Sequence, residues 1–198
     1  MNKGASLMKK LTLMFLWISL SACVPKGVVE KTATLNSNDE SIFIIGVAPE
    51  NFHILVFSGE IINGVFVVNR WRNARLWGAA DKGFMVGKAS AGETLAITKV
   101  HATEKGALMG NVFKACNGAK TMTFQVPGGK AIYLGHVAYE FAGNTLRVDY
   151  HKDLASAQKY MDDNYPGFQG KVEQWEYDLN PTTEPCLTTL YIPIYLPR

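Results

Sequence analysis

Four histidines, His53, His101, His136 and His151, are the residues of this 198-residue chain best suited to acid–base or metal chemistry. The imidazole titrates near neutral pH and is the commonest metal ligand. Local sequence brings two of them together. Gly143-Asn144 reads as the two-residue loop of a hairpin running from Ile132 to His151, because Gly supplies the backbone such a loop needs. In that register Phe141 faces Leu146, Tyr139 faces Val148 and Val137 faces Tyr150, so one face is apolar throughout. A slip of one residue would invert the apolar face of one strand. The same register sets His136 opposite His151, with Cβ atoms expected about 5 Å apart. Two imidazoles can share a metal, but zinc sites usually draw on three or four protein ligands. Asp149 and Asp153 are near in sequence. The plain alternative is a solvated polar face continuous with the opposed pair Glu140 and Arg147, and no metal is assigned.

The stretch Arg70-Trp71-Arg72-Asn73-Ala74-Arg75-Leu76-Trp77 is basic and aromatic. Tryptophan with arginine suits a membrane interface, a glycan or a protein hot spot. The simpler reading, preferred on sequence, is a strand with tryptophans in the core and arginines in water. No Gly-x-Ser-x-Gly elbow, His-Glu-x-x-His run, Walker loop or dinucleotide fingerprint occurs in the sequence, so no catalytic frame is offered. Gly128-Gly129-Lys130 follows an apolar run but lacks the other phosphate-loop residues, and a hairpin turn explains it. No cofactor is implied.

The elements that would position these residues are mostly strands. From Ser41 onward, short β-branched and aromatic runs alternate with Gly, Pro and Asn turns, the pattern of a sandwich or barrel. Asn63-Gly64 lies between Glu60-Ile61-Ile62 and Val65-Phe66-Val67 and reads as a type I′ hairpin. Pro127-Gly128 lies between Met122–Val126 and Ala131–Leu134 and reads as a turn with positive φ at Gly128. One helix is expected near 153–164: Asp153 can cap it, Leu154, Ala157, Tyr160 and Met161 share one side, and Pro166-Gly167 ends it. Val172–Leu179 alternates loosely as one strand. The run from Leu190 is apolar, but its prolines suit an edge or an extended packing segment.

The first 22 residues differ from the rest. Residues 1–10 carry Lys3, Lys9 and Lys10 and no acid, and residues 11–20 are apolar. That core is shorter than the roughly 20 residues a membrane span needs and has the length of an export signal. Translation from Met1 or from Met8 would both yield such a signal. Three of the chain's 20 basic residues and none of its 17 acidic ones fall here, so the remainder balances at 17 against 17. Nucleic-acid affinity rests on clustered positive charge, and the chain after the signal has no excess; no nucleic-acid partner is expected.

The core ends in Leu20-Ser21-Ala22-Cys23, which resembles the lipobox of bacterial lipoproteins. The resemblance implies cleavage before Cys23, acylation of its thiol, and a membrane as partner through that lipid. Two or more acyl chains anchor stably. Val24 stands where enteric lipoproteins kept in the inner membrane carry Asp, so the resemblance implies the outer membrane. The expected organisation is a signal peptide over 1–22, a flexible tether over 23–40 and a single β domain over 41–198. The 176 residues after the signal are enough to bury roughly 70% of the unfolded surface in one core.

The lipobox, the run Val126-Pro127-Gly128-Gly129-Lys130-Ala131-Ile132-Tyr133-Leu134-Gly135 and the closing helix into Tyr165-Pro166 together resemble envelope lipoproteins built on a transthyretin-like (prealbumin-like) β-sandwich. That family implies a mainly β fold with one short helix and brings no assigned activity. Once Cys23 is lipidated, Cys116 and Cys186 remain as an even pair in an oxidising compartment, the condition for a disulfide. Closing a loop of that length would stabilise by roughly 4 kcal/mol through chain entropy. The functional expectation is a lipid-anchored binding or structural accessory module with an envelope protein or glycan as partner. An envelope hydrolase or metal-binding protein using surface histidines is the alternative.

Overall fold

The computed structural model describes residues 29–35, 37–71, 73–103 and 110–186. The signal, Cys23 and the apolar run after Cys186 lie outside the described residues. The described chain forms two curled sheets and one helix. The strands are β1 (Glu40–Ala48), β2 (His53–Ile62), β3 (Val65–Val68), β4 (Leu76–Ala79), β5 (Phe84–Ser90), β6 (Thr94–Ala102), β7 (Asn111–Lys114), β8 (Lys120–Gln125), β9 (Ala131–Ala142), β10 (Thr145–His151), β11 (Val172–Gln174) and β12 (Asp178–Pro181). Helix α1 (Leu154–Asn164) lies between β10 and β11.

The first sheet runs β10-β9-β1-β5, with β11 also against β9. The second runs β12-β8-β6-β2-β3, with β4 beside β2 and β7 beside β6. β1 is buried along its length because both of its faces are covered. Phe43, Ile45 and Val47 point into the core between the sheets. Ile42 and Ile44 point outward, into a second cluster with Ala157, Tyr160 and Met161 of α1. A strand covered on both faces reads as a continuous apolar run, as Ile42–Ile45 does.

β9 carries the same alternation with one interruption. Ile132 and Leu134 enter the core between the sheets, but so do Val137 and Tyr139. The phase changes at Gly135, where the pairing with β1 slips by one residue between Ile44 and Ile45. Gly135 has φ 126°, a backbone that L side chains rarely adopt, and this bulge turns His136 to the outer, helix-bearing side.

Several expectations hold residue by residue. β9 and β10 pair as Phe141–Leu146, Tyr139–Val148, Val137–Tyr150 and His136–His151. Arg147 and Glu140 form an ion pair at 2.6 Å. Asn63 and Gly64 both have positive φ, at 52° and 75°. Asp153 caps α1 by accepting from the Ser156 N–H.

Others are corrected. The Pro127-Gly128 segment is not a hairpin turn: β8 and β9 belong to different sheets, so the chain crosses from one to the other. The positive φ falls on Gly129, at 67°, rather than on Gly128. Val172–Leu179 is two strands: β11 pairs β9 in parallel and β12 pairs β8 in the other sheet. The segment read as a tether is docked at Val29, with Ala33 and Leu35 partly buried against the same cluster, while residues 30–32 and 37–39 are exposed. Val29 is buried against the α1 cluster and its N–H donates to the Val86 carbonyl at 3.2 Å.

After β12, which pairs β8, the chain continues as a strap to the edge of β3. Thr182 bridges Phe66 of β3, so β12 and the residues after it reach both edges of that sheet and curl it. Phe66, Val68 and Ala96 are buried beneath, with Phe57 packed against them.

Candidate binding cleft

The two sheets separate along one side. β6 pairs with β8 over Thr94–Ala96 and then with the four-residue β7 over Lys99–Ala102. Opposite this short edge stands β10, whose inward residues Leu146, Val148 and Tyr150 pack on the core but stay only partly buried. The space between is an open cleft of about 640 Å³. Tyr139, Leu146, Val148 and Tyr150 form one wall and Val100, Phe113 and Thr121 the other. A concave, mainly apolar site of a few hundred Å³ with a few polar groups is the usual form of a ligand pocket.

Cys116 and Cys186 lie at the rim, joined by a disulfide with Cα atoms 5.4 Å apart. The bond ties the end of the strap to the β7–β8 turn. Glu184, two residues earlier, is buried and faces Lys114 at 3.4 Å and Lys99 at 3.8 Å. Thr182 Oγ1 donates to the Ala115 carbonyl. Three kinds of interaction thus seat the strap beside the cleft: a covalent bond, an ion-pair triad and backbone bridging.

The phenols in the cleft are neutral. Burial pushes the Tyr150 phenol up, while hydrogen bonds with the Thr121 side chain and the Met122 backbone pull it partly back. Burial raises Tyr139 well above the ordinary phenol range. Neither phenol ionises near neutral pH, so they act there as hydrogen-bonding hydroxyls. Lys114 and Lys120 stand at the mouth. These walls suit an uncharged apolar group.

The histidines form two separate pairs on different sheets. His53 pairs with His101 across β2 and β6, and His136 pairs with His151 across β9 and β10. The second pair is the more built. The His136 ring lies edge-on to Phe84 at 4.9 Å and over Gly46, where a Cβ would come within 2.1 Å of its Cδ2. Its Nδ1 is hydrogen-bonded to the Tyr133 hydroxyl, which also accepts from the Asp153 N–H at 3.2 Å. Burial pushes Tyr133 up to about 12. Burial first, and the neighbouring His151 second, lower His136, while Asp153 works the other way.

No group of three His, Cys, Asp or Glu side chains disposed to hold a metal occurs among the described residues. Asp153 is used as the helix cap, and the hydrogen bonds from Ser156 lower its pKa. Asp149 pairs with Arg147 at 3.3 Å. The acids nearest His136 and His151 are therefore already engaged.

The preferred sequence reading of the Arg/Trp stretch is overturned. Among the described residues of the group only Leu76 enters the core, while Trp71 is 100% exposed and Trp77 47% exposed. β4 is only four residues long and pairs with β2 over Leu76–Ala79, so Trp71 falls in the preceding loop, with no strand to turn it inward. The cleft itself was not legible beforehand, although the half-apolar alternation of β10 was its one local signal. No protein-family model matches the chain, and neither a curated protein nor a solved structure does.

Proposed function

We propose that this chain is a lipid-anchored protein of the bacterial cell envelope whose β domain is a binding module, with the cleft between β10 and the β7–β8 edge as its binding site. The open apolar cleft carries the binding reading. The lipobox Leu20-Ser21-Ala22-Cys23 and the signal before it support the anchor at Cys23, and Val24 supports the outer membrane. The strand order β10-β9-β1-β5 facing β8-β6-β2-β3, with β1 and β9 parallel, supports a transthyretin-like sandwich. The partner this cleft suits is an apolar segment of another envelope protein, since exposed apolar patches rimmed by polar groups mark such contacts.

The test is photo-cross-linking in intact envelopes from a reactive residue placed at Leu146, with Val148→Glu and Cys23→Ala each added as controls. One stoichiometric product, lost with Val148→Glu and weakened with Cys23→Ala, is expected. A folded, lipidated protein that cross-links to nothing sinks the binding reading. Separately, mass spectrometry of the mature N-terminus should show acylated Cys23, and an unmodified or uncleaved Cys23 sinks the anchor.

A further inference from the structure

A second concave surface lies away from the cleft and shares no lining residue with it. It is a groove of about 480 Å³ between the β2–β3 hairpin and the start of β6. Trp71 stands at its edge with its whole side chain in water. An indole is among the largest apolar side chains, and one that packs against nothing contributes nothing to the core.

The backbone that bears the ring is nevertheless tied down. The Trp71 backbone N–H donates to Asn69 Oδ1 at 3.2 Å, and the Asn69 backbone N–H donates to the Ser58 carbonyl at 2.9 Å. The loop bearing the indole is thereby tied to the end of β2. Asn69 also lines the groove, together with Glu60, Thr94, Glu93 and Ser58. Arg75 pairs with Glu93 there. Ser58 is 5% exposed, and its Oγ is buried without a hydrogen-bond partner among the described residues.

We infer that the groove is a carbohydrate-binding site in which Trp71 stacks on the face of a pyranose ring. A sugar ring has an apolar C–H face that fits an indole and a rim of hydroxyls that fits carboxylate, amide and hydroxyl side chains. The groove supplies both at once. Trp71 is the stacking platform, and Glu60, Asn69 and Thr94 are the hydroxyl partners. A protein hot spot would instead surround its tryptophan with an apolar, desolvated patch, whereas here Ser58, Glu60, Asn69, Glu93 and Thr94, half of the lining residues, carry side-chain oxygens.

The experiment uses the full lipidated chain in detergent, with the β-1,4-linked trimer of N-acetylglucosamine and maltotriose as probes. Trp71 is the indole most open to acrylamide, so bound sugar should shield it. The expected result is a saturable fall in acrylamide quenching with one of the probes. Isothermal titration calorimetry with the same sugar, which needs no indole reporter, should show binding weakened at least tenfold in Trp71→Ala, partly kept in Trp71→Phe, and unchanged in Leu146→Glu. Since Trp71 packs on nothing, Trp71→Ala should fold normally, which circular dichroism checks. Unchanged quenching with both sugars at tens of millimolar overturns the proposal, as does equal binding by Trp71→Ala. Capture of a protein by a cross-linker at position 71 while both sugars fail assigns the surface to a protein partner and also overturns it.

Discussion

The imidazole rings of His136 and His151 stack across the β9–β10 hairpin, with centroids 4.8 Å apart and planes 12° from parallel. Protonating both places two like charges face to face beneath Phe84 and α1. His101 is in a related position: burial first, then His53 and Lys99, lower its pKa. Both groups have folded pKa values below the unfolded one, so between the two values the unfolded chain binds more protons. Their contribution to stability is therefore present above about pH 6.5, the unfolded value, and is lost as pH falls through the folded values. Urea midpoints measured from pH 7.5 to 5 should fall toward the acid end. His136→Gln and His101→Gln should each flatten that fall, and an unchanged slope in both would refute the assignment.

Gly46 and His136 should be coupled. A methyl group at Gly46 meets the imidazole carbons, so Gly46→Ala must move the ring and strain the Tyr133 hydrogen bond. Overpacking of this kind costs about 1–3 kcal/mol. In His136→Ala the obstacle is gone, and adding Gly46→Ala there should cost far less. A double-mutant cycle by denaturant unfolding reads the coupling directly, and additive costs would show that the ring does not depend on Gly46.

The Cys116–Cys186 bond closes a loop spanning 70 positions. Replacing both residues with Ser should lower stability by roughly 4 kcal/mol. Because the bond ends the strap beside the cleft, the reduced protein should also show faster hydrogen exchange at Thr182 and Thr183 than at β9. Uniform exchange in the oxidised and reduced forms would mean that the strap is held without it.

Glu184 is the only acid that Lys99 and Lys114 share among the described ion pairs. Glu184→Ala removes the partner of two partly buried ammonium groups and should cost about 1–3 kcal/mol by thermal unfolding. Adding Lys99→Met and Lys114→Met to Glu184→Leu should recover most of that loss, since a packed apolar set replaces a buried ion cluster well. No recovery would show that the triad does more than neutralise its own charges.

Local chemistry in the sequence was enough for some of this architecture. The Gly143-Asn144 turn and the two-residue period set the β9–β10 register, His136–His151 included, because both act between neighbours in the chain. Asp153 and the spacing of Ala157, Tyr160 and Met161 likewise set α1. The tertiary structure alone decided which sheet each strand joins. Nothing between Val126 and Ala131 says that β8 and β9 part, since a Pro-Gly turn serves a hairpin and a crossover equally well. The split of Val172–Leu179 into β11 and β12 depends on two strand edges far away in sequence. Trp71 and Trp77 were misread because burial depends on what stands opposite a residue, which a strand's own period does not specify. For the same reason the cleft appears only in three dimensions: it is the gap left where β7 ends too soon to cover β10.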